Sequence, residues 1–320
     1  MKIAFYQPHL DIQGTGVCYF DLAYFNEKIL GNKSYVIHDR GHSGSHPLAI
    51  EKFEKDLECF ALDGEEDMSL LEQKLDELDV DAVYIQKRGK KNDGRYVTNK
   101  PMFIHVIGTE NDPHGKVYAY ASEWLSMACS NFKHPYVPYV VRLPESDEDL
   151  REELDIPKDV VVFSRMGGYY SWNIPFTNQV VVNVLNERDD CYFLFVQTHR
   201  FVDHPRVIHI PSFSDLYRKR KFINTSDAFL HSRAEGESFG MACAEYSICN
   251  KPVITYKHSK EQSHIYTLGD KGIYYEDPLS LHHVLKNFMP SPNENWNCYG
   301  EFTPEKVMEK FKNVFINEMK

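Results

Sequence analysis

Residues 234–245 read A-E-G-E-S-F-G-M-A-C-A-E, with two carboxylates, Glu237 and Glu245, set around a turn of small residues that opens a helical stretch. The first N–H groups of a helix have no intrahelical acceptor. A chain that leaves a loop at Ser238, Phe239 and Gly240 and enters a helix over residues 241–248 therefore offers a phosphate site. The two acids flank that site, where each can accept from hydroxyls. Spacing alone does not single them out, because the chain holds four Glu-x7-Glu pairs, the others being Glu58/Glu66, Glu145/Glu153 and Glu301/Glu309. Context does. Only Glu237/Glu245 combines a glycine beside its first acid with a Phe-Gly turn inside it and a strand-like K-P-V-I-T run at residues 251–255 soon after.

The order strand, turn, helix, strand extends outward from this stretch. Before it lie apolar or helical runs at residues 160–164, 180–186, 192–197, 207–211, 215–223 and 228–231. Strand-like runs at residues 2–7, 34–38, 81–86 and 102–107 alternate with helical spacing over 17–30 and 68–78 in the first half. This alternation predicts an α/β protein with parallel sheets covered by helices. Prolines 135, 138 and 144 followed by an acidic stretch mark a junction, which divides the chain into domains of residues 1–140 and 141–302. Residues 290–297 read as a proline- and asparagine-rich linker. Residues 304–319 read as an amphipathic terminal helix with Thr303 as N-cap, and residues 303–320 are expected to return to the first domain. No period of solenoid length is visible.

The chain has 320 residues, enough for two domains with a cleft between them. Its hydrophobic fraction of 42% is that of a globular protein, and no apolar run approaches the ~20 residues a bilayer-spanning helix requires. Residues 1–6 enter a strand directly with no leader pattern, so the expectation is a cytoplasmic protein. Seven scattered cysteines without a C-x-x-C fit free thiols in a reducing compartment. A net charge of −11 argues against nucleic acid as a partner, while leaving room for a local site that takes one phosphorylated ligand. The basic run K-R-G-K-K-N-D-G-R at residues 87–95 reads as a solvated loop, and Asp79-Val80-Asp81 as a solvated turn. No H-E-x-x-H pattern occurs, and neither a metal site nor a resident cofactor is expected.

Three further places carry chemistry. Gly14-Thr15-Gly16 follows a strand and opens a helix, the setting for a backbone-lined phosphate site, although Tyr19 stands where a dinucleotide fingerprint needs its third glycine. Arg165, Gly167 and Gly168 follow the strand at 160–164, and a guanidinium beside flexible backbone suits a diphosphate. His105 lies at the end of an apolar run, where it either orients a hydroxyl in a cleft or is hydrogen-bonded in the core.

These pieces together resemble the retaining glycosyltransferases of family 4, which have the two-domain GT-B fold of paired Rossmann-like domains facing a central cleft. The resemblance is strongest over residues 160–256. It rests on F-S-R-M-G-G at 163–168, F-I-N-T-S-D-A at 222–228 and G-E-S-F-G-M-A-C-A-E with N-K-P-V-I-T at 236–255. The first half matches more loosely, through Gly14 to Gly16, His105 and S-E-W-L at 122–125. The resemblance implies that Glu237 contacts the transferred sugar, that Phe239, Gly240, Met241 and Ala242 present backbone to the phosphates, and that Glu245 binds ribose hydroxyls. It also implies that Arg165 stabilises the leaving diphosphate, with Gly14, Thr15 and Gly16 approaching it from across the cleft. Base recognition is expected near Pro211, Ser212 and Phe213. Family members often carry a lysine five residues after the arginine; this chain has Tyr170 there, so half of the usual positive clamp is missing or supplied elsewhere, as by Arg200 or Arg233.

The expected reaction is transfer of a hexose from a UDP- or GDP-sugar to the hydroxyl of a glycan, lipid or protein-linked sugar, with retention and without an essential metal. The donor phosphate itself could take the acceptor proton, so no protein nucleophile is demanded, unlike the paired-carboxylate hydrolases. Two other readings are a nucleotide-sugar-binding protein without turnover and a GT-B epimerase acting on the nucleotide sugar alone.

Overall fold

The computed structural model describes residues 1–64, 66–291 and 293–319; Pro292 in the linker and Lys320 at the end of the terminal segment lie outside the described residues. The chain forms two compact units, one of Met1–Val140 with Phe302–Lys320 and one of Val141–Glu301.

The first unit runs β1 (Lys2–Tyr6), α1 (Gly14–Lys28), β2 (Lys33–Asp39), α2 (Pro47–Asp56), β3 (Glu58–Leu62), α3 (Met68–Glu77), β4 (Ala82–Lys87), β5 (Met102–Val106), β6 (Val117–Tyr120) and α4 (Glu123–Ser130). All six strands are parallel, in the order β3-β2-β1-β4-β5-β6. The strands β4 and β5 are buried at every residue, Gln86, Lys87 and His105 included, as strands are when helices cover both faces of a sheet. Asp67 caps α3 through the Ser69 and Leu70 amides, and Ser122 caps α4 through that of Leu125.

The second unit continues with β7 (Val161–Arg165), α5 (Thr177–Glu187), β8 (Cys191–Val196), β9 (Val207–Ile210), α6 (Leu216–Thr225), β10 (Ala228–His231), β11 (Gly236–Glu237), α7 (Met241–Ile248), β12 (Val253–Tyr256), β13 (Glu261–Gln262), α8 (Ser263–Leu268), β14 (Ile273–Tyr275) and α9 (Pro278–Asn287). Its main sheet is again six parallel strands, ordered β14-β12-β10-β7-β8-β9, and β11 pairs separately with β13. Phe163, Phe193, Leu230 and Ile254 of the sheet are buried in one cluster with Val181 and Val184 of α5 and Leu281 and Leu285 of α9.

The chain then returns to the first unit as α10 (Pro304–Phe311), capped by Thr303 and extended by a π-helical turn over Lys312–Ile316. Phe311 lies against Phe5 and Tyr84, and Phe315 against Tyr84, Phe103 and His105. Both phenylalanines are fully buried, each contributing about 2–3 kcal/mol to that core.

In the second unit β7, β8 and β9 run to one side and β10, β12 and β14 to the other. The order reverses between β7 and β10, and the carboxyl ends of these two strands mark the position where open α/β sheets take ligands.

Candidate functional site

Arg165 ends β7 and His231 ends β10, so the reversal point carries a guanidinium and an imidazole. From His231 the chain runs through Arg233 to β11, whose pairing with β13 sets Gly236 opposite Glu261 and Glu237 opposite Gln262. It then turns at Gly240, with φ at 91°, into α7. Glycine is required there, because a side chain is strained at that angle and a Cβ would stand 3.0 Å from the Cβ of His264.

Glu237 is the centre of this geometry. Its Oε1 accepts from Arg233 at 3.1 Å and from His231 Nε2 at 3.2 Å, and 22% of its side chain is open to solvent. Burial works against the ionised carboxyl, but the His231 hydrogen bond and the Arg233 charge outweigh it, holding the group down to about 2. Behind His231, its Nδ1 lies 2.8 Å from Thr255 Oγ1, which in turn lies 3.0 Å from His264 Nε2. Burial pushes His264 down to about 3, so it is neutral.

The start of α7 has no side-chain cap, unlike α6 and α9, which Asp215 and Asp277 cap. The first turn of a helix leaves its N–H groups without intrahelical acceptors, and Met241 and Ala242 at this start are only partly buried. Ser238 is also partly buried, whereas Phe239 is packed edge-on against Tyr299 at 5.9 Å.

Arg165 departs from the expectation of a direct diphosphate clamp. Its residue is 2% exposed, and NH1 donates to the carbonyls of Gly167, Val196 and Gln197 and to Thr198 Oγ1, while NH2 donates to the Gly168 carbonyl and Ser171 Oγ. The guanidinium is turned inward because the loop after β7 wraps carbonyls around it. Gly167 permits that curl, since a Cβ would stand 3.0 Å from the Arg165 NH2. Burial lowers Arg165 to about 10, which leaves it charged at neutral pH. Tyr170, where the resemblance leads one to expect a lysine, is 88% exposed beside His199, Arg200 is exposed, and Arg233 is partly buried.

Glu245 sits on α7 with 4% of its side chain exposed, and its Oε1 accepts from Lys219 Nζ of α6 at 2.7 Å. An acid expected to grip ribose thus already has a partner, one that spacing did not reveal. Pro211 and Ser212 are exposed in the loop after β9, and Phe213 is tilted against Phe222 at 5.6 Å.

Two candidates in the first unit have partners already. His105 is enclosed in the core of the first unit. It is fully buried, Nδ1 pairs with the Tyr84 hydroxyl, Nε2 lies 2.8 Å from the Val137 carbonyl, and burial holds it down to about 4. The core reading of His105 is the one its geometry supports. Gly14, Thr15 and Gly16 do open α1, but Asp11 Oδ1 already accepts from Gln13 N at 2.8 Å and Gly16 N at 3.3 Å. A carboxylate on that helix start competes with any phosphate there.

His231, Thr255, His264 and Lys219 were missed from sequence. His231 and Thr255 meet because the register of β10 and β12 sets them opposite each other, and no motif of adjacent residues announces that.

No family model and no curated protein matches this sequence. Solved structures do match. A glycosyltransferase from Rickettsia africae is similar at 17% identity with a TM-score of 0.65, covering 99% of this chain and 95% of that one. The Anabaena protein HepE, in complex with UDP and glucose, is similar at 12% identity with a TM-score of 0.70, covering 99% of both chains. WaaG, a glycosyltransferase of lipopolysaccharide biosynthesis, is similar at 11% identity with a TM-score of 0.63, covering 98% of this chain and 99% of that one. The fold is GT-B. In GT-B terms the second unit carries the Glu237 cluster at the reversal point of its sheet, and the first unit carries Asp11 and His105. Among the described residues no helix is long and apolar enough to cross a membrane, and no group of three metal-ligating side chains gathers.

Proposed function

We propose that this chain is a glycosyltransferase that moves a hexose from a nucleotide-diphosphate sugar to an acceptor hydroxyl, with retention and without an essential metal. The observation that carries the reading is Glu237, ionised and half-sheltered, beside an uncapped helix start in a GT-B fold. The first-turn N–H groups of α7 suit the diphosphate, and Glu237 suits the hydroxyls of the sugar attached to it. As the glycosidic bond breaks, negative charge collects on the leaving diphosphate. Those N–H groups and the guanidinium of Arg233 meet it, while Arg165 adds its charge from behind the loop at 167–168; such preorganised donors supply several kcal/mol. Glu237 stays on the sugar side, where positive charge develops. Glu245 and Lys219 together take the ribose, residues 211–213 the base, and the first unit the acceptor.

The test is turnover with a panel of UDP- and GDP-sugars in the presence and absence of EDTA. Sugar transfer, or slow hydrolysis of the donor, that persists with EDTA is expected. A folded protein that turns over none of them sinks the reading, and a rate restored only by a divalent ion sinks its metal-independent part.

One observation favours a second reading, a protein that binds nucleotide sugars without turnover. Tyr170 replaces the lysine of the family and Arg165 is committed to internal carbonyls, so the positive clamp is weaker. Calorimetry separates the two, since binding without transfer supports the second reading. Transfer abolished in an Arg165→Ala variant that still binds nucleotide supports the first.

A further inference from the structure

Glu237 is the near end of a row of side chains that passes back through three elements of the second unit. His231 on β10 contacts its Oε1 through Nε2, Thr255 on β12 meets His231 Nδ1, and His264 on α8 meets the same Thr255 oxygen through Nε2. Hydrogen-bond chemistry places each proton. An ionised carboxylate only accepts, so His231 Nε2 carries the proton that it donates to Glu237. A His231 ring that holds this one proton accepts at Nδ1, and the Thr255 hydroxyl gives its single proton there. With that proton spent, Thr255 Oγ1 accepts from His264 Nε2–H. The row ends in a bare acceptor at His264 Nδ1, a buried nitrogen without a hydrogen-bond partner among the described residues. The row is also rigid, since His231 and Thr255 are held by the strand register, the two imidazoles lie 4.7 Å apart, and the Tyr275 hydroxyl donates to the His231 carbonyl at 3.0 Å.

We propose that His231 is a positioning residue for Glu237, locked in its Nε2–H tautomer by Thr255 and His264, so that the carboxylate keeps one orientation toward the bound sugar during transfer. This inference rests on the reading that Glu237 touches that sugar. Other groups around Glu237 do not replace the lock. Arg233 from the segment before β11 and Arg165 from β7 supply charge, while Cys243 of α7 and Tyr299 stay neutral as burial pushes both well up. A guanidinium charge favours ionisation of Glu237, but only the His231 ring fixes the second direction from which Oε1 accepts.

Two measurements on the full chain test it. Nitrogen-15 NMR of the histidine rings at neutral pH is expected to find both His231 and His264 protonated at Nε2 and bare at Nδ1, and Thr255→Val is expected to take His231 out of that single form. In the donor-turnover assay Thr255→Val should lower kcat about tenfold, the worth of one well-placed hydrogen bond, while calorimetry with UDP and GDP gives the wild-type Kd. Thr255→Ser, which keeps the hydroxyl, should restore both the tautomer and kcat. A His231 ring protonated at Nδ1 in the wild type overturns the proposal whether or not the variants fold, as does a Thr255→Val protein with wild-type kcat. A wild-type protein without turnover overturns the glycosyltransferase reading instead, while the ring spectra still decide the tautomers.

Discussion

Gly236 passes Glu261 so closely that a Cβ on the glycine would stand 1.9 Å from the Glu261 carbonyl oxygen, at a φ of 72° that side chains seldom adopt. The two-residue pairing of β11 with β13 depends on that approach, and Glu237 is the next residue along. Gly236→Ala is expected to cost about 2–4 kcal/mol through backbone clash and strain together. Donor turnover should fall with it, because the pairing that aims Glu237 is lost. Denaturant unfolding and kcat read the two effects separately.

Arg165 donates to six oxygens of the loops after β7 and β8. A lysine has one nitrogen and cannot reach them all, so Arg165→Lys should lose about 2–4 kcal/mol despite keeping its charge. The loss should concentrate in the loop over residues 167–171. Hydrogen exchange there is expected to accelerate while the amides of β7 stay protected.

Acid should weaken each unit through a buried imidazole. His105 in the first unit is held down to about 4 and His264 in the second to about 3, against 6.5 for an ordinary histidine. Both folded values lie below the unfolded one, so the unfolded chain takes up protons first. The stability is whole above about pH 6.5 and drains as pH falls toward 4 and 3, by at most about 1.4 kcal/mol per pH unit for each group. Glu237, held down to about 2, adds its own loss as the pH falls below the usual glutamate range. Unfolding midpoints at pH 7, 6, 5 and 4 should follow this course, and His105→Gln should flatten the slope of the first unit.

Lys219 and Glu245 form a pair with 13% and 4% of their side chains exposed. Lys219→Met leaves the carboxylate buried without its cation and should cost about 3 kcal/mol. Adding Glu245→Gln should return part of that. If Glu245 also holds ribose, Glu245→Ala will weaken nucleotide binding in calorimetry more than it lowers kcat; an unchanged Kd would remove Glu245 from the nucleoside site.

The α/β class was legible because β1, β4, β5, β7, β8 and β10 are predominantly apolar, and such strands are buried on both faces of a sheet. The edges were not. β3 is E-C-F-A-L and only partly buried, β6 has four residues and β14 three, too short for a period to register. At the site, Glu237 could be read because a distinctive local turn follows it. Its neighbours could not, since His231 and Thr255 are 24 positions apart and meet only through strand register. Arg165 misled for a different reason. Sequence names a guanidinium but not which carbonyls curl around it, and Gln197, with φ at 50°, turns one of them inward.

The return of α10 to the first unit makes the second unit an insertion in the chain order of the first. During synthesis residues 141–301 can collapse as soon as they emerge, whereas the sheet face of Phe5, Tyr84 and Phe103 has to wait for Phe311 and Phe315. Chain elongation thus favours completion of the later-made unit first, and the earlier-made one stays partly open to chaperones and proteases until the last turns of helix leave the ribosome.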